Sequence, residues 1–84
     1  MIAHGRVQGV SFREALREKA QRVGVTGWAR NRVDGSMEAA LEGPSVQVEE
    51  VVGWCADGPE AATVSRLDVI EEEPQGIMGF RVRH

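Results

Sequence analysis

The sequence holds a single cysteine (Cys55), one lysine (Lys19), two histidines and no tyrosine in 84 residues. One cysteine excludes an internal disulfide and any cysteine-based metal cluster. His4 and His84 stand too far apart in the sequence to suggest a metal site or a catalytic pair, and both read as incidental. No apolar run approaches the roughly 18 residues of a membrane span, and no signal peptide is visible, so the expected compartment is the cytoplasm. Positive charge is not in excess either. Ten basic residues face thirteen acidic ones for a net charge of −3, whereas nucleic-acid-binding domains usually show a basic surplus. What remains is ordinary for a globular protein, 42% hydrophobic and 27% charged, and long enough for one domain over residues 1–84 with one modest core.

The chain turns on the stretch Gly5-Arg6-Val7-Gln8-Gly9-Val10-Ser11-Phe12-Arg13. A short strand, expected over 1–7, runs into it and a helix opens inside it. Gly5 and Gly9 let backbone turn sharply or approach a bound group closely. Ser11 with Glu14 three positions on has the spacing of a capping box, which places the helix start at Ser11. A strand that breaks at Gly9 and becomes a helix leaves several amide N–H groups free at one spot. Those amides and the positive end of the helix dipole form an anion site. Arg13, one turn in, can add a two-pronged guanidinium contact. This loop is expected to hold a phosphate.

Beyond it, Phe12, Leu16, Ala20 and Val23 fall at helical spacing and Gly24 sits where a helix ends. A second strand is expected over 25–30. Asp34-Gly35 then signals a hairpin into a third strand over 36–42, where Met37, Ala39 and Leu41 alternate with Glu38 and Glu42. Gly43-Pro44 breaks that strand. Ser45 is placed as the N-cap of a second helix, on which Val48, Val51, Val52 and Cys55 share an apolar face. A fourth strand over 62–70 has its least regular alternation at Val64 and Leu67. Glu71-Glu72-Glu73 reads as a solvated turn, and Gly79 to Arg83 as a short final edge strand. Trp28 and Trp54 are expected in packing.

The order β-α-β-β-α-β with a short edge strand predicts an α+β, ferredoxin-like split β-α-β sandwich, an antiparallel sheet with two helices on one face. A helix crosses between the first two strands, so they run parallel, and the third slots between them. Their carboxyl ends then share one sheet edge. Two strand steps, roughly 10 Å, separate the anion loop after strand one from Asn31 after strand two. Side chains can converge across that gap, so topology alone selects Asn31.

Gly5-x-Val7-Gln8-Gly9-Val10-x-Phe12-Arg13, followed by Gly27-Trp28-x-Arg30-Asn31-x-x-Asp34-Gly35-x-x-Glu38, resembles the paired signatures of the acylphosphatase family. Glu42-Gly43-Pro44 and Gly79-Phe80 fit as well, so the resemblance covers nearly the whole chain. It implies hydrolysis of small acyl phosphates by one acylphosphatase-like domain. By the same resemblance Arg13 binds the phosphate, Asn31 orients the attacking water, and the amides of Gln8, Gly9, Val10, Ser11 and Phe12 form the cradle. No cofactor and no metal are expected. The implied partners are a small-molecule acyl phosphate and, as inhibitors, inorganic phosphate or sulfate, with a monomer as the expected state and neither nucleic acid nor membrane involved.

Two other classes fit parts of the pattern. A non-catalytic module binding an anion or carbamoyl phosphate would keep the loop without needing Arg13 and Asn31 together. A nucleic-acid-binding sheet shares the topology, yet it calls for stacking aromatics on two central strands, and strand three has none. Taken singly, Arg13 is a solvated helix residue and Asn31 a turn residue; the functional reading rests on the two motifs together.

Overall fold

The computed structural model describes residues 1–84. Its elements are β1 (Ile2–Arg6), α1 (Phe12–Val23), β2 (Thr26–Asn31), β3 (Met37–Glu42), α2 (Ser45–Asp57), β4 (Thr63–Asp68) and β5 (Phe80–Arg83). The expected elements are present in order, with strand ends differing by one or two residues. The sheet order is β4-β1-β3-β2-β5, so β3 does lie between β1 and β2. β1 is short but held on both sides, by β3 and along its whole length by β4.

Three ladders are antiparallel, and the fourth, β2 with β5, is parallel, which makes the sheet mixed. The chain path explains it. β4 runs opposite to β1 and so ends at the side of the sheet where β2 begins. Residues 69–79 cross from the β4 edge to the other edge along that side, and β5 must then travel with β2. Glu42, the last residue of β3, fixes this crossing by accepting hydrogen bonds from the Gln75 N–H (2.6 Å) and the Ile77 N–H (2.9 Å). The consequence is that β5 ends beside β2, at the edge that also carries the anion loop.

Helix and strand periodicities meet in one core. α1 contributes Phe12, Leu16 and Ala20, α2 contributes Val51 and Cys55, and the sheet contributes Ala3, Ala29, Met37, Ala39 and Phe80. Burying a side chain the size of Phe12, Leu16 or Met37 contributes about 1.5–3 kcal/mol. Val64 and Leu67 both pack against this core although they are three positions apart. The pairing of β1 with β4 slips between His4 and Gly5, leaving Ser65 as an extra residue, and that bulge returns Val64 to the core side. Trp54 packs edge-on against Phe12, ring centres 5.8 Å apart. Trp28 lies on the other face of the sheet, with the guanidinium groups of Arg83 and Arg30 at 4.9 and 5.7 Å from its ring centre. His4 is engaged rather than incidental: its Nε2 lies 2.9 Å from Asp68 Oδ2, beside Arg66.

Neither expected N-cap operates through its side chain. Ser11 occupies the cap position in the left-handed region (φ 58°, ψ 30°) and makes no side-chain cap bond, while Glu14 pairs instead with Arg17 at 2.6 Å. A capping serine needs extended backbone to aim its oxygen at the first-turn amides, and the left-handed conformation points it elsewhere. α2 begins at Ser45 itself with Pro44 as its cap residue, again with no side-chain bond.

Candidate active site

β1 hands over to α1 through residues 7–11. Gly9 takes φ +72° with open space where a Cβ would project. Gly5 has a different duty from the one expected. A Cβ there would collide with the Thr63 carbonyl oxygen, so this glycine lets β1 approach β4 at the bulge. The first helical bond runs from the Ala15 N–H to the Ser11 carbonyl oxygen (3.0 Å). None of the amides from Gln8 to Glu14 donates to a backbone oxygen, so the loop and the first helical turn present a run of uncommitted donors.

Arg13, Ser11, Gly9 and Phe12 line a cavity of about 290 Å³ together with Val7, Glu14, Asn31, Val82 and His84. The structure therefore brings the two sequence-selected side chains, Arg13 and Asn31, to one cavity. Arg13 Nη1 donates to the Arg83 carbonyl oxygen (2.8 Å) and lies 3.3 Å from His84 Nδ1. Both contacts use the same nitrogen, leaving Nη2 and Nε without a protein partner. Asn31 Oδ1 is buried and accepts no hydrogen bond from the protein. A buried acceptor left without a partner costs about 1–3 kcal/mol, which makes Asn31 the one cavity-lining residue with a buried side-chain oxygen that the protein leaves unsatisfied.

After Asn31 the chain turns through a short hairpin loop. The Gly35 N–H donates to the Arg32 carbonyl oxygen (3.1 Å), and the Arg32 N–H to the Ser36 carbonyl oxygen (2.8 Å). Gly35 has φ +93° while Asp34 does not enter the left-handed region, so Asp34-Gly35 builds a three-residue loop rather than a two-residue turn. Asp34 Oδ1 accepts from the Ser36 N–H (3.0 Å) and hydroxyl (2.5 Å), and these bonds hold its carboxyl below the usual aspartate range.

Three features escaped the sequence. Gln8, selected for its amide, also donates through its side-chain nitrogen to the carbonyl oxygens of Arg32 (2.7 Å) and Ser36 (3.0 Å). Val82 and His84 line the cavity because β5 ends there. Nothing local announces either; both follow from how distant segments are brought together. Cys55 is buried on α2 as expected, and burial pushes its thiol up to about 12, so it stays protonated. Arg13, Arg30, Arg32 and Arg83 lie at this end of the sheet, with Arg30 paired to Glu38 at 2.6 Å and Glu14 also lining the cavity.

Comparison with known proteins gives this arrangement its context. The acylphosphatase family model matches residues 1–82. An acylphosphatase of Gloeobacter violaceus is 53% identical over 78 residues, covering 93% of this chain and 84% of that protein. An acylphosphatase of Thermococcus kodakarensis is 48% identical over 79 residues, covering 94% and 87%. Among solved structures, the acylphosphatase of Bacillus subtilis superimposes with a TM-score of 0.93 at 31% identity, over 99% of this chain and 93% of that one. On a match that spans both signature motifs and the fold around them, the chain belongs to the acylphosphatase family.

Proposed function

We propose that residues 1–84 act as one acylphosphatase domain that cleaves the carboxyl–phosphate bond of small acyl phosphates to a carboxylate and inorganic phosphate. One observation carries the reading: Gly9, Ser11 and Phe12 of the loop whose amides are free, Arg13 with two nitrogens lacking a protein partner, and Asn31 line a single cavity. The amides from Gln8 to Phe12 and the Arg13 guanidinium hold the phosphoryl oxygens, where charge must be stabilised in the transition state. Asn31 accepts a hydrogen bond from the attacking water and sets it in line. A neutral amide suits that task because it both accepts and donates.

The substrate explains why so few groups suffice. A carboxylate whose conjugate acid has a pKa near 4 departs without a general acid. The proton released by water passes to the phosphate itself, so no side-chain base is required. The substrate class is that of acetyl phosphate, carbamoyl phosphate or a mixed anhydride of glycolysis. The reading includes a monomer acting in the cytoplasm without metal or cofactor.

Hydrolysis of benzoyl phosphate in the presence of a chelator tests it. Activity should persist in chelator, with phosphate or sulfate inhibiting competitively. Phosphate should also raise the thermal midpoint, because a ligand bound only by the native state stabilises by about 2.7 kcal/mol at a hundredfold excess over its dissociation constant. No turnover, with the thermal shift intact, would instead describe a non-catalytic anion-binding module.

A further inference from the structure

We infer that Gln8 is a positioning residue: its side-chain amide fixes the spacing between the anion loop and the strand end that bears Asn31. Gln8 does not line the cavity itself but joins the two segments that flank it. Its backbone lies in the loop, while its side-chain nitrogen donates to the carbonyl oxygens of Arg32 and Ser36 at 2.7 and 3.0 Å. Arg32 follows Asn31 directly, and Ser36 closes the hairpin on the other side. One –NH₂ group has two donors, and here both are spent on the hairpin.

The hairpin does not need Gln8 to form. Arg32 and Ser36 are already joined by a backbone bond of 2.8 Å, Gly35 returns to Arg32, and Asp34 binds the Ser36 amide and hydroxyl. The anion loop, in contrast, has little of its own to hold it. None of its amides enters a backbone bond, and Gly9 is unconstrained by any neighbour within 4 Å of a Cβ position. The Gln8 side chain therefore adds nothing essential to either piece alone. It sets their relative placement, and misplacement of reacting groups by about 1 Å can cost on the order of a hundredfold in rate.

This inference rests on the proposed role of Asn31, and the experiment separates the two. Benzoyl phosphate turnover and phosphate inhibition are measured for Gln8→Met, Asn31→Ala and the double variant, with near-UV spectra to establish folding. Gln8→Met keeps the backbone amide and the side-chain length but cannot donate. It should lower kcat tenfold or more while the phosphate inhibition constant stays within twofold. In the Asn31→Ala background the same change should lower kcat less than twofold, because the group being positioned is gone. Gln8→Glu, which keeps the shape and lacks the donors at neutral pH, should behave like Gln8→Met and serves in its place if that variant does not fold. A folded Gln8 variant with kcat within twofold of the parent overturns the inference, as does an equal loss in both backgrounds or a parallel rise in the phosphate inhibition constant. An Asn31→Ala single variant that keeps more than a third of the turnover overturns the water-orienting role, and this inference falls with it.

Discussion

Arg13 on α1 and Arg83 at the end of β5, seventy positions apart, are joined by one hydrogen bond, from Arg13 Nη1 to the Arg83 carbonyl oxygen at 2.8 Å. The acceptor is main chain, so the contact depends on where β5 ends and not on what side chain stands there. A flexible guanidinium that lines the cavity is thereby held in place while its other nitrogens keep no protein partner, and pre-paying that order favours binding.

Arg83→Ala and deletion of residues 83–84 should consequently differ. The alanine variant keeps the carbonyl and loses only the stacking of the guanidinium on Trp28, worth about 0.5–1 kcal/mol of stability at an exposed site. Its phosphate inhibition constant should stay within twofold of the parent. The deletion removes the acceptor and the neighbouring His84 ring. A loss of roughly 1 kcal/mol would raise that constant about fivefold. An unchanged constant in the deletion variant would mean that Arg13 needs no tether.

Ser11 offers a test of local backbone. A working capping box would make Ser11→Ala cost about 0.5–2 kcal/mol. With a left-handed backbone and no side-chain cap bond, Ser11→Ala should change stability by less than about 0.5 kcal/mol. Ser11→Val should cost about 1–3 kcal/mol, since a β-branched residue resists φ 58°. Denaturant melts of the two variants decide the matter, and equal losses would contradict the left-handed assignment.

Glu42 predicts acid sensitivity at a distance from the cavity. Hydrogen bonds from the Gln75 and Ile77 amides hold its carboxyl below the ordinary value of 4.5. A carboxyl depressed in the folded state stabilises the fold fully above its unfolded value, and that contribution disappears as the pH falls through the folded value. The thermal midpoint of the parent should drop on acidification below about pH 4.5. Glu42→Gln should start lower at neutral pH and lose less on the way down. Because Glu42 anchors the crossing that delivers β5 to the cavity edge, the variant should also bind phosphate more weakly than the parent at pH 7. Parallel midpoint curves would show that the carboxylate is not what fixes the crossing.

The parts of this fold that were legible in the sequence are those written in short-range pattern. Met37, Ala39 and Leu41 announce a half-buried strand, Phe12, Leu16 and Ala20 announce a helix face, and connectivity alone then places Asn31 on the edge shared with the anion loop. Even the poor alternation at Val64 and Leu67 was information, the trace of a bulge at Ser65. What stayed hidden depends on backbone sign or on distance. Ser-x-x-Glu spells a capping box only if the serine is extended, and a left-handed Ser11 dissolves it. The reach of Gln8 to the hairpin spans 24 and 28 positions, and that of Arg13 to Arg83 spans 70; no local periodicity encodes either.

The proposed division of labour between Arg13 and Asn31 makes the sharpest prediction. Arg13 would touch the phosphoryl group in both ground and transition states, so Arg13→Gln should raise the phosphate inhibition constant and lower kcat together. Arg13→Lys should recover little, because a point charge cannot keep one nitrogen on the Arg83 carbonyl and still present a planar fork to the anion. Asn31 would hold water instead of substrate. Asn31→Ala should cut kcat by about two orders of magnitude, the scale of one preorganised transition-state contact, and leave phosphate inhibition nearly unchanged. The loss should appear equally in kcat and kcat/KM, as it does for an interaction made only in the transition state. Asn31 also ends β2 and pairs with Met37, so an unchanged near-UV spectrum must accompany the assay. A folded Asn31→Ala variant retaining more than about a third of parental turnover, a change under 1 kcal/mol, would reduce Asn31 to a strand-end residue.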